Sequence, residues 1–125
     1  MLVDDSPFDN VVNQRLLEIC QVSEQVQVHQ NGFQALQYLN KLDPEDSAAQ
    51  EEIPNLIFLD INMPIMDGFE FLEELENLPK SLTDRMKVVV LTSSINPEDE
   101  KQSLKSSHVS QYMHKPLTKQ KLEAL

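Results

Sequence analysis

The sequence predicts an α/β domain built on a parallel sheet with helices on both faces, and three observations predict it. Leu56-Ile57-Phe58-Leu59 and Lys87-Val88-Val89-Val90-Leu91-Thr92 are short apolar runs without alternation, as expected for strands buried on both faces. Stretches with apolar residues at helical spacing alternate with them, bracketed by Ser-Pro, Asn-Gly and Asn-Pro signals. Side chains able to do chemistry stand at the carboxyl ends of the strands, the rim where open α/β sheets place their ligands.

Taken in order, Met1-Leu2-Val3 is a short strand ending in Asp4 and Asp5. Ser6 is set as an N-cap and Pro7 as a first helical residue. Phe8, Val12, Leu16 and Ile19 then predict a first helix to about Cys20 with that apolar line buried. Val26 to Gln30 alternates like an edge strand. Asn31-Gly32 turns the chain into a second helix marked by Ala35, Leu36 and Leu39. Lys41 to Pro54 is acidic and Pro-punctuated, a long exposed connection that continues the helix for at most a turn.

Strand Leu56 to Asp60 follows, then a turn closed by Pro64 and Gly68. Phe71, Leu72, Leu75 and Leu78 mark a third helix ending near Pro79. After the Lys87–Thr92 strand, Asn96-Pro97-Glu98 opens a fourth helix with a cap, a first-turn proline and acids that complement the dipole. Leu104 is almost its only large apolar residue, so this helix is expected to be lightly anchored. Val109 to His114 is the fifth strand, leading to Lys115-Pro116, and Thr118 begins a final helix. Five βα units imply right-handed crossovers.

The chain has 125 residues, 40% hydrophobic and 25% charged, enough for one domain, residues 1–125, with a single core system. A formal net charge of -11 argues against direct nucleic-acid binding and against an anionic membrane surface. One cysteine, Cys20, excludes an internal disulfide; its helical register predicts a buried structural thiol. With no apolar run of membrane-spanning length and no signal-peptide pattern, a cytoplasmic location is expected.

Asp60 alone reads equally well as a turn cap. Its company on the rim decides otherwise: Asp4 and Asp5 from the first strand, Thr92 from the fourth and Lys115 from the fifth. The edge strand ending near His29 adds nothing comparable. Carboxylates gathered within ~4 Å repel by several kcal/mol at an effective dielectric near 20. A hard divalent cation relieves that repulsion, and Mg²⁺ accepts carboxylates together with water and phosphate oxygens. A carboxylate so neutralised can attack a phosphoryl donor and become an acyl phosphate. Phosphoryl transfer asks of the protein mainly positioning and charge stabilisation. A lysine and a hydroxyl opposite the cation would hold the other phosphoryl oxygens.

Val3-Asp4-Asp5-Ser6, Leu59-Asp60-Ile61-Asn62-Met63-Pro64-Ile65-Met66-Asp67-Gly68, Leu91-Thr92-Ser93 and Tyr112-Met113-His114-Lys115-Pro116 together resemble the receiver domain of two-component response regulators, across essentially the whole chain. The resemblance implies a doubly wound (βα)5 flavodoxin-like three-layer sandwich with sheet order 2-1-3-4-5. It implies Asp60 as phosphoacceptor, served by a histidine kinase or phosphotransfer protein. It implies Mg²⁺ on Asp5, Asp60 and the Asn62 carbonyl, with Asp4 contributing through water. Lys115 would pair with the phosphoryl group or the carboxylates, Thr92 would be the switch hydroxyl and Tyr112 the rotating aromatic. A cis Lys115–Pro116 bond is expected.

Such a domain is a signalling switch rather than an enzyme with a separate substrate. It dephosphorylates itself slowly, with Asn62 and Ser94 setting the rate, and presents the surface of helix 4, strand 5 and helix 5 to a downstream protein. The resemblance leaves room for a phosphorylation-dependent homodimer. A phosphate-independent adaptor of the same fold is the first alternative, opposed by the intact acid pair, Asp60, Thr92 and Lys115. An aspartyl-phosphate phosphohydrolase is the second, opposed by Asn62, which stands where such enzymes place a general acid.

His29, His108 and His114 lack a metal-binding spacing, and Met63 and Met66 read as packing. His114 departs from the apolar residue usual at that position and shares a strand face with Tyr112. The short lead into Asp4 and the early stop of the last helix read as trimmed ends.

Overall fold

The computed structural model describes residues 1–23 and 25–125. Its elements are β1 (Leu2–Val3), α1 (Pro7–Ile19), β2 (Val28–His29), α2 (Gly32–Asn40), a 3-10 helix (Ser47–Glu52), β3 (Leu56–Leu59), α3 (Gly68–Leu75), α4 (Lys80–Thr83), β4 (Lys87–Thr92), α5 (Pro97–Leu104), β5 (Val109–His114) and α6 (Lys119–Glu123). All strand pairs are parallel and the order is β2-β1-β3-β4-β5, the order expected from the sequence. The short α4 was not expected, so the predicted fourth and final helices are α5 and α6. No helix among the described residues is long and apolar enough to cross a membrane.

Strand alternation sorts the apolar residues into two cores. Val3, Ile57, Leu59 and Val88 face one way and pack with Ala35 and Leu39 of α2, Phe71, Leu72 and Leu75 of α3 and Leu82 of α4. Leu2, Phe58, Val89 and Leu91 face the other way and pack with Leu17 of α1 and Leu122 of α6. One residue's shift in any strand would exchange these sets, so the sheet's register is tightly specified. This two-sided burial is why the middle strands read as continuous apolar runs.

Several local expectations need correction. In α1 the period was right and the phase wrong: Phe8 and Ile19 are 76% and 68% exposed and Val12 is exposed too, while Asn10, Asn13 and Leu17 are buried. Positions 10, 13 and 17 share the helical spacing of 8, 12 and 16, but two of them are asparagines required beneath the rim. Cys20 is half-buried at the edge of the second core rather than fully buried. Strand β2 is only two residues long, and α2 stops at Asn40 without extending into the acidic connection, which instead forms the 3-10 helix. Helix α3 ends at Leu75. In α5 the buried residue is Ser103, whose hydroxyl donates to the Asp99 carbonyl at 2.7 Å, whereas Leu104 is half exposed. The light anchoring of this helix therefore stands.

Candidate functional site

Backbone pairing extends the ladder past the strand ends and fixes the rim. Asp60 N–H donates to the Val3 carbonyl at 2.9 Å, Asp4 N–H to the His29 carbonyl at 3.1 Å and Lys115 N–H to the Thr92 carbonyl at 2.8 Å. The edge strand thus serves the rim after all, through a backbone carbonyl. Asp4 and Asp60 are buried and Asp5 is exposed. One carboxylate oxygen from each lies within 4.8 Å of the others.

Opposite this group stands Lys115, with Nζ 2.8 Å from Asp4, 2.9 Å from Asp9 and 3.2 Å from Asp60. The Asp4 carboxyl is pushed up, because burial and the nearby Asp60 outweigh its hydrogen bonds to Lys115 and the Ser6 N–H. Burial opposes the charge of Lys115, yet its bonds to Asp4 and Asp9 and the attraction of Asp60 win, and its ammonium is pushed up. The two directions agree physically. The ammonium keeps its proton because acids surround it, and Asp4 resists ionisation because it is buried beside another carboxylate.

Asp9 was not anticipated. It sits in the first turn of α1, where Ser6 accepts its N–H at 3.2 Å, and its sequence context reads as ordinary cap chemistry. Beside it, Asn10 Nδ2 donates to the Asp4 carbonyl at 2.8 Å and bolts the helix to the acid pair. Asn10 Oδ1 is buried without a partner. A cavity of about 10 Å³ lined by Asp4, Asn10, Asn13 and Asp60 lies there, room for one water at most.

The turn after Asp60 is tightly built. Asn62 N–H donates to Asp60 Oδ1 at 3.3 Å. Ile65 has φ 70° and is flanked by a Met66 N–H to Pro64 carbonyl bond of 2.8 Å, a γ-turn that strains a β-branched residue. Asp67 then caps α3 in a reciprocal box with Glu70. The chain has two glycines, and both abut this turn. A Cβ on Gly68 would lie 2.6 Å from Ile61 Cα and 2.7 Å from the Asp60 carbonyl, and one on Gly32 would lie 3.0 Å from the Met66 carbonyl.

Thr92 is fully buried, and its hydroxyl accepts the Ser94 N–H at 3.1 Å. Ser94 Oγ donates to Asp99 at 2.5 Å, tying the end of β4 to α5. Tyr112 is half-buried, with its hydroxyl unpartnered, and meets His114 edge-on at 5.6 Å between ring centroids. Desolvation pushes the Tyr112 phenol up. The Lys115–Pro116 bond is cis. The residues anticipated at the rim, Asp4, Asp5, Asp60, Thr92 and Lys115, therefore gather there, and Tyr112 lies on β5 two residues before His114, on the strand face the two were expected to share.

This fold and rim define a class: a doubly wound domain presenting buried acids, an ammonium and a hydroxyl at one sheet edge. The chain belongs to the response regulator receiver domain family, whose model matches residues 1–125. It is similar to the response regulator Rcp1 of Synechocystis, with 33% identity over 99 residues, 79% of this chain and 64% of that protein. The chain thus spans less than two thirds of that relative. The two-component response regulator ARR17 of Arabidopsis thaliana is 35% identical over 127 residues, covering 100% of this chain and 80% of ARR17. Among solved structures, a two-component response regulator from Cytophaga hutchinsonii superposes with TM-score 0.84 at 29% identity, over 98% of this chain and 89% of that one. The Mn(2+)-bound form of Rcp1 superposes with TM-score 0.68 at 32% identity, over 97% of this chain and 83% of that one. The protein is therefore a receiver domain of two-component signalling.

Proposed function

We propose that Asp60 is the phosphoacceptor, taking a phosphoryl group from a histidine kinase or phosphotransfer protein. One observation carries this: Asp60 has acid oxygens of Asp4 and Asp5 on one side and the Lys115 ammonium 3.2 Å away on the other. The three carboxylates are hard oxygen donors whose crowding suits Mg²⁺. Asp5 and Asp60 would hold the ion with the Asn62 carbonyl, Asp4 acting through water. Bound there, it supplies positive charge against the transferring phosphoryl oxygens.

An Asp60 oxygen attacks phosphorus while the phosphorus–nitrogen bond to the donor imidazole breaks; the ring nitrogen keeps the electron pair and takes a proton from water, leaving an aspartyl phosphate and the neutral imidazole. Lys115 donates to one phosphoryl oxygen and the Thr92 hydroxyl to another. Drawing Thr92 toward the phosphoryl group releases the Ser94 N–H, and Tyr112 follows into the space. The surface of α5, β5 and α6 changes as a result, and a downstream protein or a second copy of the chain reads it. Asn62 and Ser94 set the rate at which water removes the phosphoryl group.

The test is incubation with a small phosphodonor and Mg²⁺, read by intact mass. A phosphoryl mass increase that disappears in Asp60→Asn supports the assignment. Absence of an adduct in the wild-type protein would leave an adaptor without a phosphorylation switch, and rapid continuous turnover would make it a phosphohydrolase.

A further inference from the structure

We infer that Asp9 is a positioning residue that holds Lys115 at rest and must release it when Asp60 takes up a phosphoryl group. The inference rests on Asp60 being the phosphoacceptor. An ammonium has three N–H donors, and three carboxylates already lie around Lys115, at 2.8 Å from Asp4, 2.9 Å from Asp9 and 3.2 Å from Asp60. The donor that serves Asp60 passes to its phosphoryl group, but that group brings a further negative charge and two more acceptor oxygens, so it competes with Asp4 and Asp9 for the remaining donors and one of these carboxylates yields.

The geometry points to which one. The Asp4 and Asp60 side chains are each 7% exposed, whereas that of Asp9 is 34% exposed. Only Asp9 can be rehydrated without opening the rim. Released, it remains in the first turn of α1, where the unpaired backbone N–H groups and the helix dipole favour a free carboxylate. Helix α1 itself need not move, since the Asn10 bond to the Asp4 carbonyl keeps it in place.

The competition has a direction. While Asp9 holds Lys115, one fewer donor is open to the incoming phosphoryl oxygens, and the Asp9 charge repels an anionic phosphodonor. Both effects slow uptake. Removing the charge at constant size should speed it, and retaining the charge should not.

The experiment measures the second-order rate of uptake from acetyl phosphate at saturating Mg²⁺ for wild type, Asp9→Asn and Asp9→Glu, with far-UV circular dichroism confirming that each is folded. We expect Asp9→Asn to be about fivefold faster, equivalent to an ion pair of about 1 kcal/mol, with Asp9→Glu close to wild type. The gain should shrink as salt rises, because screening weakens the term that the substitution removes. A merely structural role would not produce a charge-specific, salt-sensitive acceleration. Equal or slower uptake by Asp9→Asn while wild type is phosphorylated overturns the Asp9 assignment alone. A wild type that takes up nothing overturns the phosphoacceptor reading, and this inference with it.

Discussion

Replacing Lys115 by methionine keeps the unbranched stem of the side chain and removes the ammonium. Asp4 and Asp60, both with side chains 7% exposed, are then left together without a cation. Breaking a buried pair by deleting one partner costs about 3–5 kcal/mol. Here the side chain of Lys115 is 18% exposed and Asp9 can turn to water, so the lower end of that range applies, about 3 kcal/mol. A ceiling follows from proton uptake. Asp4, whose ordinary value is 3.8, can escape by protonating, which at pH 7 costs about 4.4 kcal/mol at 1.36 kcal/mol per pH unit. At pH 5 the same escape costs only about 1.6 kcal/mol. The deficit of Lys115→Met should therefore fall from about 3 kcal/mol at pH 7 to below about 2 kcal/mol at pH 5.

The assay is urea unfolding of both proteins in a chelating buffer at the two pH values, then at pH 7 in millimolar Mg²⁺. For a domain this size about 3 kcal/mol corresponds to a melting shift of roughly 12 °C. Mg²⁺ should restore most of the loss, because it offers positive charge to the same carboxylates. A variant as stable as wild type in chelator would refute the reasoning. So would a deficit indifferent to both pH and Mg²⁺, since that would be lost packing and not uncompensated charge.

Three further outcomes are expected. Gly68→Ala should lose about 2–3 kcal/mol in urea unfolding, because its Cβ would fall 2.6 Å from Ile61 Cα, against backbone that cannot swing away. Ile65→Gly should gain about 1 kcal/mol, measured the same way. It relieves a β-branched residue at φ 70° that is 79% exposed and buries little. In chelator, burial holds the Asp4 carboxyl above 3.8, so the folded state keeps this proton to higher pH than the unfolded chain. The contribution of Asp4 to stability is then greatest below pH 3.8 and is lost as pH rises through its folded value. Asp4→Asn should flatten that part of the pH–stability curve.

Groups at strand ends were legible in the sequence, and groups reaching the rim from elsewhere were not. Asp4, Asp60, Thr92 and Lys115 stand at the carboxyl ends of strands, so a parallel sheet brings them to one edge whatever the details of packing. Asp9 arrives from a helix, and its meeting with Lys115 spans 106 positions. Nothing local marks it out. The phase of α1 was misread because hydropathy rewards Phe8 and Val12, while the site needs Asn10 under the Asp4 carbonyl. Ile65 in a left-handed turn contradicts local preference outright, as strained positions beside functional sites tend to do. Helix α4 is four residues long, too short to show a period.

The same contrast between firm and loose elements bears on how the proposed switch could work at small energetic cost. Thr92 is fully buried at the end of a strand buried from Val88 onward, so it can move only its side chain. That side chain holds the Ser94 N–H, and Ser94 Oγ holds Asp99 in the first turn of α5, a helix whose only buried residue is Ser103. A helix anchored by one serine and these few hydrogen bonds can shift without disturbing either apolar core, at a local cost far below that of global unfolding. A phosphoryl group that draws Thr92 inward would act through these bonds at the place where α5 and β5 meet. The resting domain is thus rigid where chemistry needs fixed distances and loosely held where a partner would read the result.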